Sequence, residues 1–298
     1  MAQLHSKQRL QSGFTLMEVM IALAMLMLVL GVMVSSSISL NQHYFNDIVR
    51  TKIKGNLRGA VDIISMNIRQ AGENLSSTFP AILLTNGNST TSDVLTLRRS
   101  LVTDVLTLCT AAGSGTSTLY VSNATVSNAA CMAANISASH AVFEEYRADS
   151  GGSLRIYIYD QASQLGEFLD FTGSGQSGGE YYLATAPTTR SYPVLTSYIY
   201  MLEEYRFQLD LSSSTLNLYV DGQSTAQAVA FETTGFDVLA IKNDGTQLTE
   251  FENSSTQDWK DLEKIRITLT GQHTYHGRQF STSVTSEYFP RNIMSYEG

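Results

Sequence analysis

Proline is scarce: the 298-residue chain has four, and none precedes Pro80. A helix in the first quarter of the chain therefore meets no obligatory break. Cysteine is scarcer, with only Cys109 and Cys131. Neither belongs to a CxxC pair, which argues against a zinc site. In an oxidising compartment the two would pair; otherwise they would be buried free thiols. Charged residues make up only 15% of the chain, and the net charge is −8. No dense cluster of Lys and Arg reverses that sign, so no nucleic-acid partner is expected. Hydrophobic content of 43% still allows a sizeable core, in one large domain or two small ones.

One long apolar run stands out against this background. Residues 14–34 carry a single ionisable group, Glu18, and a lone glycine, Gly13, precedes them. About 20 residues span a bilayer core as a helix. Lys7 and Arg9 lie ahead of the run with no acid nearby. That asymmetry keeps the N-terminus cytoplasmic and sends the rest of the chain outward. A secretory signal has its small-residue junction after the apolar core. Here the junction Gly13-Phe14 comes first, so cutting it would leave the hydrophobic helix on the mature chain. Glu18 is costly in a bilayer, by roughly 3 kcal/mol or more. No Lys, Arg or His lies between residues 10 and 42 to pair with it. The remaining cation is the new amine at residue 14, on the same helix or on a neighbouring one.

The segment "GFTLMEVMIALAML" resembles the class III signal of type IV pilins and type II secretion pseudopilins. The resemblance implies that a prepilin peptidase removes residues 1–13 after Gly13 and methylates Phe14. It also implies that Glu18, the fifth mature residue, sets subunit register during assembly. Many filament-forming pilins have a proline at the position of Ser35; this chain has Gly31 and Ser35-Ser36-Ser37 instead.

Helical periodicity continues past the apolar run. Leu57, Val61, Ile64 and Ile68 form an i, i+4, i+7, i+11 stripe, with the polar Arg58, Asp62, Asn67 and Arg69 interspersed or just after. Gly72 and Asn74 mark a stop. The expected layout is a filament-core or transmembrane helix over 14–36, an amphipathic helix over 37–74, and a β-rich head over 75–298. Gly55 and Gly59 predict close packing of a sheet on the helix, or a mild bend.

Beyond residue 75, short runs rich in Val, Ile, Leu, Thr and Tyr alternate with turn signals. Strands are expected at 93–97, 104–108, 117–121, 141–147, 153–159, 199–209, 215–220, 235–241, 247–251, 263–270 and 279–288. The repeated "DVLTL" predicts two strands of one hairpin, and 172–182 reads as a flexible loop. The C-terminal pattern of long strand, polar turn, second strand and "PRN" is similar to that of PilW-type minor pilins. The fold class is α+β, a long N-terminal helix packed on an enlarged antiparallel head.

Chemical motifs are weak. Gly175-Gln-Ser177-Gly-Gly179 fits G-x-S-x-G but lacks the strand-turn-helix frame of a nucleophile elbow. His273 and His276 are three apart, which on a strand means opposite faces. Asp221, Asp244, Asp258 and Asp261 sit near turns without EF-hand spacing. No enzyme activity, cofactor or metal is expected. The resemblance implies a minor pilin that primes a type IV pilus near its tip. Its partners would be other minor pilins and the major pilin through the helix, the prepilin peptidase, and an inner-membrane assembly platform. A J-like minor pseudopilin of type II secretion, or a membrane-anchored adhesin, fits the same features.

Overall fold

The computed structural model describes residues 15–76, 79–88, 90–252, 261–275 and 277–294. Helix α1 runs from Leu16 to Gln70. With no proline available, neither Gly31 nor the serine run interrupts it. It ends where Gly72 takes φ +83° and its N–H turns away to the Arg98 carbonyl, 2.8 Å distant. The chain divides into two compact units, Met1–Lys52 and Ile53–Gly298.

Within the first unit, residues 16–52 are helical, and the large apolar side chains from Leu16 to Ile48 are exposed, whereas Val49 is buried. The second unit begins inside α1. There Ile53, Leu57, Ala60, Val61, Ile64 and Ile68 are buried, as the stripe predicts. Asn67, expected on the polar side, is buried too; its amide donates to the Ile63 carbonyl at 2.9 Å. Gly55 and Gly59 do not pack on a sheet. Both are exposed, with nothing within 4 Å of where a Cβ would stand. The reason is angular: Gly55 lies two residues, or about 200°, from Leu57 around the helix. The close approach comes from the sheet side instead. A Cβ on Gly271 would lie 2.7 Å from Ile53 Cγ2, so a larger residue there would force helix and strand apart.

Among the described residues, the strand pairs are antiparallel and form three sheets. The first contains β1 (Ile82–Thr85), β2 (Val94–Ser100), β9 (Leu202–Asp210), β10 (Thr215–Val220) and β11 (Gln227–Ala230), in that order. The second runs β3 (Leu106–Thr107), β8 (Ser197–Tyr200), β5 (Leu154–Asp160), β6 (Leu165–Ser177), β7 (Glu180–Thr185), β4 (Thr118–Tyr120). The third runs β13 (Gln247–Leu248), β12 (Thr233–Lys242), β14 (Leu262–Tyr275), β15 (Arg278–Tyr288).

Four further expectations are corrected. Residues 141–147 are helical, inside α2 (Ala133–Asp149). Their aromatic content resembles a strand, but Ile136, His140 and Phe143 are buried at helical spacing. Ile136 and Phe143 fill the core against Ile156, Ile158, Leu169 and Phe171 of the six-stranded sheet. The two "DVLTL" copies are not one hairpin: the first lies in β2 and the second in β3, in different sheets. Residues 199–209 are not one strand, because the chain changes sheets at buried Met201, between β8 and β9. Residues 172–182 are not a loose loop but the β6–β7 hairpin. Gly178 and Gly179 take φ +63° and +88° at its two-residue turn, a backbone that side-chain-bearing residues resist.

A charged pair joins β2 to β9. Arg98 Nε donates to Glu204 Oε2 at 2.8 Å, and each side chain is 11% exposed. The Arg98 guanidinium also lies over the rings of Phe79 and Tyr157. Asp221 stands beside the pair and accepts the Glu204 N–H at 2.7 Å. Burial, reinforced by Glu203 and Glu204, pushes the Asp221 carboxyl up to about 6, against the N–H bond that lowers it. A carboxyl raised on folding supplies stability that is fully present below its unfolded value, near 3.8, and is lost as pH rises through about 6. Asp221→Asn keeps an oxygen for the N–H and tolerates the φ of +50°. It is expected to raise the melting temperature at pH 7.5 and to lose that advantage by pH 4. Paired melts at the two pH values check this.

Candidate functional site at the start of the apolar helix

Thr15 precedes the first helical residue, Leu16, and Glu18 lies three positions on. The Thr15 N–H donates to Glu18 Oε2 at 3.0 Å, and the Thr15 hydroxyl donates to the same oxygen at 3.1 Å. In return the Glu18 N–H donates to Thr15 Oγ1 at 3.3 Å. This is a capping box: each side chain satisfies a backbone N–H that the first helical turn leaves without a partner. The T-x-x-E spacing was visible in the sequence, but Thr15 was not among the expected site residues. Among the described residues, only one Glu18 oxygen is engaged. The other accepts no hydrogen bond from a described residue.

The surroundings of that carboxylate are apolar and open. Leu16 and Met17 are 81% and 72% exposed, and Leu28 and Val32 are similarly bare. By length and composition α1 can cross a membrane, with a mean hydropathy of 2.5 in its most apolar window. Gly13, Phe14 and the rest of the 1–13 leader lie outside the described residues.

At the far end of α1, the C-terminal "PRN" supplies a second cap. Asn292, in the short helix α3 (Arg291–Met294), donates to the carbonyls of Gln70 and Ala71, each at 3.2 Å. The β14–β15 hairpin before it matches the expected strand-turn-strand pattern.

The remaining candidates disperse. Ser177 closes β6 at a tight hairpin turn, so it has no nucleophile-elbow frame. His273 Nδ1 is 2.6 Å from Glu232 Oε1, while His276 lies outside the described residues. Asp244 accepts the Thr246 N–H, Asp261 pairs with Lys242, and Asp221 serves Glu204. Asp258 lies outside the described residues. Among the described residues, no group of three or more His, Cys, Asp and Glu is arranged to hold a metal ion.

Cys109 and Cys131 are joined by a disulfide, with a Cα–Cα distance of 5.6 Å. The bond ties the end of the β3 segment to the 3-10 turn Ala129–Cys131, whose first residues Asn128 caps. The closed loop spans 22 positions. On the chain-entropy model its closure contributes about 3 kcal/mol. Replacing both cysteines by serine should lower stability by roughly that amount. Thiol labelling of denatured, unreduced protein from cells should find no free thiol.

Comparison with known proteins bears on the N-terminal segment most directly. Residues 8–34 match the family model for the prokaryotic N-terminal methylation motif. No curated protein matches the chain. Among solved structures, the chain is similar to a type IV-like pilin from Thermus thermophilus. The identity is 8%, the alignment covers 80% of this chain and 96% of that one, and the TM-score is 0.35.

Proposed function

We propose that this chain is a minor pilin that takes part in priming a type IV pilus and sits at or near its tip. It begins as a single-pass inner-membrane protein with a cytoplasmic N-terminus and its β-rich part outside. A prepilin peptidase cuts between Gly13 and Phe14 and methylates Phe14. Other minor pilins and the major pilin then engage the helix, and the inner-membrane platform drives assembly.

The observation that carries this reading is the half-engaged carboxylate of Glu18 on a bare apolar helix, within a methylation motif. A carboxylate there is expensive for an isolated helix in lipid. It becomes favourable when a neighbour's terminal amine pairs with it. Thr15 holds the carboxylate at the helix start, near where a terminal amine would be created. The bulk of the β-rich part favours the tip, where fewer neighbours crowd a subunit.

Cleavage is the first test. Removing Lys7 and Arg9 takes the formal side-chain charge from −8 to −10. Intact mass and N-terminal sequencing of protein from cells should give methylated Phe14. A terminus at Met1 or Ala2 would refute the reading. Tagged protein should also be found on sheared filaments, at low copy number.

A further inference from the structure

We propose that Asn86 is a self-modification site, at which the Gly87 nitrogen attacks the side-chain amide with Asp93 as the base, leaving an acid in place of the amide. Of the chain's asparagines, Asn86 alone is followed by glycine. It lies one residue beyond β1, outside any strand, and is exposed. No described residue hydrogen-bonds its side-chain amide, so that group is free to turn toward the backbone. The fold itself demands glycine at 87, because a Cβ there would stand 2.3 Å from the Thr91 carbonyl oxygen. The same lack of a side chain lets another group approach the Gly87 nitrogen closely.

A carboxylate already sits on that nitrogen. The Gly87 N–H donates to Asp93 Oδ1 at 2.9 Å, within reach for proton transfer. The other Asp93 oxygen accepts the Val238 N–H at 2.8 Å, so β12 holds the carboxylate in place. As the Gly87 nitrogen bonds to Asn86 Cγ, its proton passes to Asp93. The Cγ–Nδ2 bond then breaks, and the proton leaves with that nitrogen as ammonia. Water opens the resulting five-membered imide at either carbonyl, giving aspartate or isoaspartate at position 86. Water enters and ammonia leaves; nothing is oxidised or reduced. The new carboxylate joins Asp93 and Asp237 around one pocket. Burial and the Asp93 charge already hold the Asp237 carboxyl above its ordinary value, so a third negative charge there is unfavourable. Aged chain is therefore expected to melt lower than fresh chain.

Detergent-solubilised full-length chain, incubated at neutral pH and digested with trypsin at intervals, tests the proposal. One tryptic peptide, residues 70–98, carries Asn74, Asn86 and Asn88, so two asparagines serve as internal controls. Asn86 should gain one mass unit at least about tenfold faster than either, and isoaspartyl methyltransferase should label the product. Asn86→Gln should not convert, because its ring would need six members. Asp93→Asn keeps an oxygen for the Gly87 N–H but offers no base, and should slow conversion by about a hundredfold. That variant also gives up the Val238 bond, so the pH profile of the wild-type chain is the independent measure. A carboxylate base gives a rate that is level from pH 6 to pH 7.5, whereas attack driven by hydroxide rises throughout. Conversion of Asn86 no faster than Asn74 and Asn88 would overturn the site. An unslowed Asp93→Asn, or a rate that climbs with pH throughout, would overturn the role of Asp93.

Discussion

Glu18→Gln is expected to leave the chain in the membrane and to reduce its incorporation into filaments by about a hundredfold. The neutral amide costs less in lipid than a carboxylate, so insertion should not suffer. Leader removal should persist, because Gly13 and the basic leader are unchanged. On the proposed function, what disappears is the charge that would compensate a neighbouring terminal amine. Leaving one member of a buried ion pair alone costs about 3–5 kcal/mol, and each tenfold in association is about 1.4 kcal/mol. Thr15→Ala separates positioning from pairing. It removes both the hydroxyl that donates to Glu18 Oε2 and the oxygen that accepts the Glu18 N–H, but keeps the carboxylate. Loss of such a cap costs about 1 kcal/mol, so the expected deficit is only several-fold. If the chain occupies the tip as proposed, its own amine would have no neighbour above, yet its carboxylate could still meet the amine of an adjoining subunit. Recovery of partner pilins from membranes and filament counts are the readouts. Normal recovery and normal filament number in Glu18→Gln would remove the role assigned to the carboxylate.

Glu204→Gln is expected to destabilise the β-rich unit by about 3 kcal/mol, among the larger effects a single substitution produces. The substitution preserves shape and a hydrogen-bond acceptor for Arg98. It leaves the guanidinium charge uncompensated between Phe79 and Tyr157, where water is nearly excluded. The informative comparison is Arg98→Met with Glu204→Leu. Removing both charges together removes the desolvation cost along with the attraction, so the double variant should lie near wild type. Thermal unfolding of detergent-solubilised chain, followed by the β-sheet signal in circular dichroism, gives all the required values. If Glu204→Gln melts with wild type, the pair does not hold β2 to β9.

The expected effects differ in origin because the two regions were legible to different degrees. The start of α1 could be read directly. A bilayer-length apolar run, one carboxylate and a preceding glycine are local facts, and local chemistry gives them meaning without a fold. The capping box is equally local: Thr15 and Glu18 stand three residues apart, within the apolar run itself. The stripe from Leu57 to Ile68 likewise depends on a period of 3.6 residues, and those four residues are buried. The β14–β15 hairpin was also legible, as strands at 263–270 and 279–288 around a polar turn, although β14 runs on to Tyr275.

Sheet membership was settled by tertiary structure. The chain leaves one sheet for another at Met201 without any change in residue type, because either sheet accepts the same alternating pattern. Arg98 and Glu204 are 106 positions apart, and nothing near either one announces the other. Residues 141–147 have strand-like composition, yet Ile136, His140 and Phe143 share a helical face that gains more by covering the six-stranded sheet. The glycines of 172–182 looked like flexibility, whereas cross-strand hydrogen bonds use Gly178 and Gly179 to turn a hairpin. Gly55 and Gly59 carried a packing signature in sequence, but the helix turns its bulky stripe to the sheet and leaves them bare. Sequence alone determined what each short segment favours. The tertiary structure decided which segments meet, because burial rewards contacts between residues that no local pattern connects.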